Sequence, residues 1–203
     1  MKKVIIFFGL LILGIVISSF SNSEKTRNID FSSEISSAPT EKDSFTQILN
    51  IPFVGNSFNG FKEAVAFKES QGKYHVVNTL GYLGKYQFGR TTLERFKIYN
   101  TQLFLETPKL QEDAFIALCS VNKWILRKDI KRNVGKKING IKITESGILA
   151  AAHLAGAGNV KKYLRSNGAN TFKDAYGSSV QHYLKQFSGY DTSFIEANVK
   201  PVL

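Results

Sequence analysis

Cysteine, histidine and acidic residues are scarce in this sequence. Cys119 is the one cysteine, so no internal disulfide can form and no cysteine-based metal site can be built. It falls within an apolar helical pattern, where a lone thiol reads as a buried packing residue. With 3 histidines and no His-Glu-x-x-His signature, little is left to hold a metal. No Gly-rich loop runs into Lys-Ser/Thr, so the phosphate-cradling motif is missing as well. Neither a metal nor a cofactor is expected. Lys and Arg number 27 against 16 Asp and Glu, a net charge of +11. That balance favours an anionic partner: nucleic acid, an acidic membrane surface or an acidic polymer such as a bacterial cell wall. Charge alone does not choose among them.

The chain's first residues bear on compartment. Met1-Lys2-Lys3 is a short basic start, Val4 to Ile17 is apolar or Gly throughout, and Ser18 to Asn22 is small and polar apart from Phe20. This is the layout of a secretory signal, with Ser19 and Ser21 as small residues before a cut. The apolar run is shorter than the ~20 residues of a spanning helix, although an uncleaved N-terminal anchor would use the same pattern. Residues 1–21 are therefore read as a signal peptide or anchor. Either places the body outside the cytoplasm, in the periplasm or cell envelope of a bacterium. Residues 22–44 are rich in Ser, Glu, Lys, Thr and Asn, which reads as a disordered linker. The folded domain is expected over 45–203, long enough for its own core.

That domain reads as mainly helical. A helix is expected from Gly60 to Gln71, with Asn59 as N-cap and Gly72 at its end. A short one is expected from Thr91 to Tyr99. Thr107-Pro108 is a helix start, a capping hydroxyl followed by Pro at the first position. Beyond it Leu110, Ala114, Leu118, Val121 and Ile125 form one apolar face, widened by Phe115 and Trp124. In KKINGIKIT, Asn139-Gly140 lies between two short alternating runs, a β-hairpin signal. Thr144 then caps a helix through ESGILAAAHLAG, and GNVKKYLRS and SSVQHYLKQF give two closing helices. The class is α+β, mainly α, with a small β-hairpin.

Chemistry concentrates in FKESQGKYHVVNTLGYLGKYQFG, from Phe67 to Gly89. Phe61, Val65 and Glu69 share one stripe of the first helix. Glu69 sits where that stripe meets the last turn. Partial burial and the negative end of the helix dipole both favour the protonated carboxyl that a general acid needs. Glu63 lies well around the helix and reads as a solvated charge. After Glu69, the glycines Gly81, Gly84 and Gly89 permit tight turns and close backbone approach. Asn78, Tyr82, Tyr86 and Gln87 can bind sugar hydroxyls and stack on pyranose rings. The same tyrosines would serve equally well as core. The basic run from Arg127 to Lys137 reads as a solvated face that can steer an anionic polymer.

Glu69-Ser70 at a helix end, Gly84-Lys85-Tyr86-Gln87 after it, and Ala152-His153-Leu154-Ala155-Gly156 further on occur in order. Together they resemble the three motifs of the lysozyme-like lytic transglycosylases, the soluble lytic transglycosylase and goose-type lysozyme superfamily. The resemblance spans roughly Phe58 to Tyr190. It implies a lysozyme-like fold and cleavage of the bond between N-acetylmuramic acid and N-acetylglucosamine in peptidoglycan, leaving 1,6-anhydro ends. On that likeness Glu69 is the catalytic acid and then base, Ser70 orients it, and Gln87 shapes the cleft. This sequence departs from the family at His153 and Leu154, which replace a Tyr and an Asn. His153 is the candidate to take over a polar contact. Lys85 and Tyr86 replace apolar residues, and a basic group there would suit the carboxylates of stem peptides. Tyr183 and Tyr190 are later candidates for cleft contacts without an assigned place.

Glycosidases usually use a second carboxylate. Between Asn50 and Asn100 only Glu63 and Glu94 are available beside Glu69, which favours an intramolecular nucleophile. Glu106, Glu112, Asp113 or Glu145 could fold back and supply a base, which would make the chain a peptidoglycan hydrolase. A non-catalytic peptidoglycan-binding module is a further alternative. A nucleic-acid partner is not expected for an exported chain.

Overall fold

The structure is a computed structural model and describes residues 55–203. The expected signal or anchor over 1–21, the linker over 22–44 and the domain start at 45 lie outside the described residues.

Six helices and one hairpin make up the described chain, an α+β arrangement dominated by helix. Helix α1 runs Phe58–Ser70, α2 Arg90–Arg95, α3 Thr101–Glu106 and α4 Pro108–Asn133. Strands β1 (Lys137–Ile138) and β2 (Ile141–Lys142) precede α5 (Glu145–Arg165) and α6 (Val180–Gln186). Among these, α5 packs chiefly on α4 and α6.

Local chemistry sets most boundaries. The side chain of Ser57, not Asn59, caps α1 by accepting from the Gly60 amide, so the helix starts at Phe58. Gln71, one residue before the expected glycine, takes the left-handed conformation that ends it. The expected helix from Thr91 to Tyr99 is a shorter one, Arg90–Arg95, and the separate helix α3 was not foreseen. Pro108 opens α4 as expected, but the Thr107 hydroxyl makes no capping bond; its carbonyl accepts from the Gln111 amide instead. Asn139 and Gly140 both have positive φ, as a tight hairpin turn between paired strands requires. The Thr144 hydroxyl caps α5 through the Gly147 amide. Gly156 (φ 76°, ψ 150°) breaks that helix, so the two expected segments meet there as one kinked element.

Phe61 and Val65 of α1, Phe115 of α4, Leu149 of α5 and Tyr183 of α6 belong to one core. The α4 face is broader than one stripe. Ala114 and Val121 are buried as expected, but so are the polar Gln111, Asn122 and Asp129, while Leu118 and Ile125 are only partly covered. Cys119 is buried, as expected. Gln111 explains how the polar burial is tolerated. Its Oε1 accepts from the Lys85 amide at 2.8 Å, and its Nε2 donates to the Tyr74 and Phe104 carbonyls at 3.0 Å each. Gly84 is pressed against this amide; φ there is +73°, and a Cβ would collide with the Gln111 side chain. Gln111 thus fixes the loop that follows α1.

Among the described residues, no helix is long and apolar enough to cross a membrane. None of their His, Cys, Asp and Glu side chains form a group of three or more able to hold a metal.

Candidate active site

The last turn of α1 delivers Glu69 to a cavity of about 290 Å³. Asn78, Tyr82, Gln87, His153 and the segment from Phe172 to Tyr176 complete its wall. A second, larger cavity of about 770 Å³ adjoins it, because Leu80, Tyr82, Gln87, His153 and Leu154 line both. The two are lobes of one cleft.

Glu69 is half-buried, and its Oε1 accepts a 2.7 Å hydrogen bond from the Tyr183 hydroxyl. Tyr183 is buried on α6. Burial, and then the neighbouring Glu69 carboxylate that accepts its hydrogen bond, push the phenol well above its ordinary value, so it stays a donor. Tyr183, a candidate cleft contact without an assigned place in the sequence, lies 114 positions from Glu69 and meets it only through the fold. Tyr190 has no such role: its ring packs against Phe61 in the core.

Ser70 does not touch Glu69 and lines neither lobe. Its hydroxyl donates to the Lys85 carbonyl at 2.7 Å and accepts from the Lys73 amide at 3.0 Å. It ties the end of α1 to the following loop, and so acts on the position of Glu69 through the backbone.

Two residues read as cleft contacts are elsewhere. Tyr86 is fully buried; its ring stacks on Phe115 at 4.1 Å and its hydroxyl donates to Glu112. Lys85 is also buried, and its ammonium lies 2.7 Å from Glu63 and 2.8 Å from Glu112. Neither side chain can reach substrate in the cleft. Glu63, read as a solvated charge, is therefore an ion-pair partner, though half its side chain is exposed. Burial alone would raise the Glu112 carboxyl; hydrogen bonds from Lys62, Lys85, Tyr86 and Tyr74 outweigh it and hold the group down to about 2. Burial would lower the Lys85 ammonium, but its bonds to Glu112, Glu63 and Tyr74 push it above its ordinary value.

The remaining expected residues do line the cleft. Asn78 builds the local turn: its Oδ1 accepts from the amides of Leu80 and Tyr82. Tyr82 is 43% exposed, which leaves its ring free for stacking. Gln87 has a positive φ of 51°, a strained backbone of the kind that clusters at functional sites. Its amide donates to the Gly84 carbonyl at 2.9 Å. His153 Nε2 lies 2.8 Å from the Tyr86 carbonyl, so that nitrogen carries the proton. Nδ1 is buried and without a partner among the described residues.

The carboxylates that could have folded back do not. Glu106 pairs with Gln102, Asp113 with Lys109, Glu145 with Lys123, and Glu112 sits in the Lys85 cluster. None of them lines either lobe. The second carboxylate of the small lobe is Asp174, which the sequence reading passed over. Its Oδ1 accepts from the Tyr176 and Ser178 amides, an Asx-type turn. The signal was present in Asp-Ala-Tyr-Gly-Ser, but only as a turn. From the other side of the opening, the Tyr176 hydroxyl meets that of Thr79 at 2.9 Å.

Compared with protein-family models, curated proteins and solved structures, the chain shows no match.

Proposed function

We propose that the chain is a peptidoglycan lytic transglycosylase of lysozyme-like fold that works in the bacterial cell envelope with Glu69 as its acid and base. The observation that carries this reading is the pairing of Glu69 with the Tyr183 hydroxyl inside a cleft whose other potential carboxylates, Asp174 apart, are bound off in ion pairs or turned away. The order of Glu69-Ser70, Gly84 to Gln87 and Ala152 to Gly156 along the chain supports it, as does the basic net charge.

The reaction needs no cofactor. Glu69 gives its proton to the oxygen of the glycosidic bond between N-acetylmuramic acid and N-acetylglucosamine. The bond from that oxygen to the muramyl anomeric carbon breaks, and the developing positive charge on the ring faces the carboxylate just formed. The 6-hydroxyl of the same muramyl residue attacks the anomeric carbon and returns its proton to Glu69. A 1,6-anhydro bond replaces the glycosidic bond, and no water is consumed. Tyr183, held protonated, keeps the carboxylate aimed at this centre, and the Ser70 bond to the Lys85 carbonyl fixes the helix end behind it. Tyr82 offers a stacking surface and Gln87 a polar contact to the sugars, while His153 braces the Tyr86 carbonyl beside the cleft.

A second reading rests on Asp174. A carboxylate in the same lobe as Glu69 could activate water, and the products would then carry reducing muramic acid ends. Mass analysis of fragments released from purified peptidoglycan by the full chain decides between them. Fragments one water lighter than hydrolytic ones, absent with Glu69→Gln, are the expected result. Reducing ends would replace this reading with a hydrolase. No fragments from the unaltered chain, with retention on insoluble wall, would make it a binding module.

A further inference from the structure

The large lobe of the cleft carries a charge pattern that the chemistry at Glu69 does not use. Its wall includes Arg90 and Arg95, the first and last residues of α2, and no acidic side chain among the described residues. Both arginines are exposed, and neither has an ion pair or hydrogen-bond partner among the described residues. Arg95 also borders a neighbouring hollow that contains Lys97 and Lys200 and again no acidic side chain.

A second observation comes from α4. Asn122 lines the same lobe from α4, one turn from Leu118 and Ile125. The residue is 4% exposed, and its Nδ2 is buried without a hydrogen-bond partner. A buried amide donor left unsatisfied costs about 1–3 kcal/mol, which a turn of the Asn122 side chain toward a ligand acceptor would recover. Gly156 and Gly158 also line this lobe, and a Cβ at either would meet nothing within 4 Å. Two unpaired guanidinium groups and one unsatisfied amide in the lining of one lobe offer hydrogen-bond donors to an anion. Guanidinium forks match carboxylates in particular.

We infer that the lobe lined by Arg90, Arg95 and Asn122 is a subsite for a carboxylate carried on the glycan, seated while the adjoining lobe holds the bond to be cut. The inference rests on the proposed glycan substrate and adds a selectivity: the cleft prefers strands that bear acid. Two sources of that carboxylate exist on a peptidoglycan strand, the lactyl arm of the muramyl sugar and the stem peptide attached to it.

Binding separates this inference from the catalytic one. The full chain carrying Glu69→Gln, which leaves ligands uncut, is titrated with three oligosaccharides of equal length: a neutral N-acetylglucosamine oligomer, a strand stripped to its lactyl carboxylates, and a strand with intact stem peptides. Acid-bearing strands should bind at least tenfold more tightly than the neutral oligomer, and the margin should shrink with added salt. In Arg90→Gln/Arg95→Gln the margin should vanish while affinity for the neutral oligomer holds. A gain seen with the stripped strand assigns the lactyl arm; a gain seen only with the intact strand assigns the stem peptide. Gly158→Gln, which meets no protein atom at its Cβ, should narrow the lobe and weaken the acid-bearing strands at least fivefold. Equal affinity for all three ligands, or a preference that survives the double substitution, would overturn the subsite. So would equal loss of the neutral oligomer in the double variant, or failure to bind any of the three. Cutting of wall by the unaltered chain without a charge preference would defeat this inference alone, and preference without cutting would defeat the catalytic reading alone.

Discussion

The Tyr183 hydroxyl donates to Glu69 Oε1 at 2.7 Å and joins α6 to the last turn of α1. The phenol is buried and remains protonated, so the bond has one direction, and Glu69 always presents that oxygen as acceptor. The carboxylate is thereby held by one edge, with the other free for substrate.

Tyr183→Phe keeps the ring and its packing on Phe187 while deleting the donor. The lost bond to a charged group is worth about 1.5–3 kcal/mol, most of it expressed as a poorly aimed acid. Release of peptidoglycan fragments should fall at least tenfold, with KM little changed and the thermal midpoint within a few degrees of the unaltered chain. Unchanged turnover would remove Tyr183 from the site.

The Glu112 cluster is a structural counterpart. Lys62, Lys85, Tyr74 and Tyr86 all donate to this one carboxylate. It thereby locks the loop between Tyr74 and Tyr86 onto α4. Breaking such a buried arrangement costs about 3–5 kcal/mol, so Glu112→Gln should lower the urea midpoint clearly. The carboxyl is held down to about 2 from an ordinary value of 4.5. Its contribution to stability is therefore complete above that ordinary value and is lost as pH falls through about 2. The unaltered chain should lose stability across this window more steeply than Glu112→Gln, which has nothing to titrate there. Parallel acid limbs in the two proteins would contradict this account.

What was legible in the sequence was local. Asn139-Gly140 demands positive φ at two successive residues, and a hairpin turn is its ordinary outcome. Pro108 starts α4 and Thr144 caps α5 through chemistry contained within a few residues. The first helix was displaced by two residues because Ser57 and Asn59 are both competent caps, and only the observed bond to Gly60 distinguishes them. The inward or outward sense of the loop after Glu69 was not local at all. Tyr86 turns inward because Phe115 and Glu112, on another helix, receive its ring and hydroxyl. Lys85 follows the same carboxylate away from the cleft. Glu69 could be picked from its stripe and its turn of helix, but Tyr183 and Asp174 reach it only through the fold.

Asp174 gives the sharpest separation of the two reactions. Among the described residues it is the one other carboxylate lining the lobe of Glu69, and its Oδ1 is already committed to the Tyr176 and Ser178 amides. Asp174→Asn preserves that oxygen, and so the turn, while removing the charge and the capacity to take a proton. In the transglycosylase the nucleophile is the muramyl 6-hydroxyl and Glu69 serves as both acid and base, so the substitution should change the fragment-release rate by less than about threefold, since Asp174 then takes no part as general base. Products should remain one water lighter than hydrolytic fragments. In a hydrolase Asp174 would be the water-activating base, and its loss should cost about 100-fold or more, the usual scale for a general base. A collapse of activity in Asp174→Asn with reducing ends from the unaltered chain would therefore assign the cleft to hydrolysis, whereas a silent substitution leaves Glu69 as the only carboxylate in the lobe that the chemistry requires.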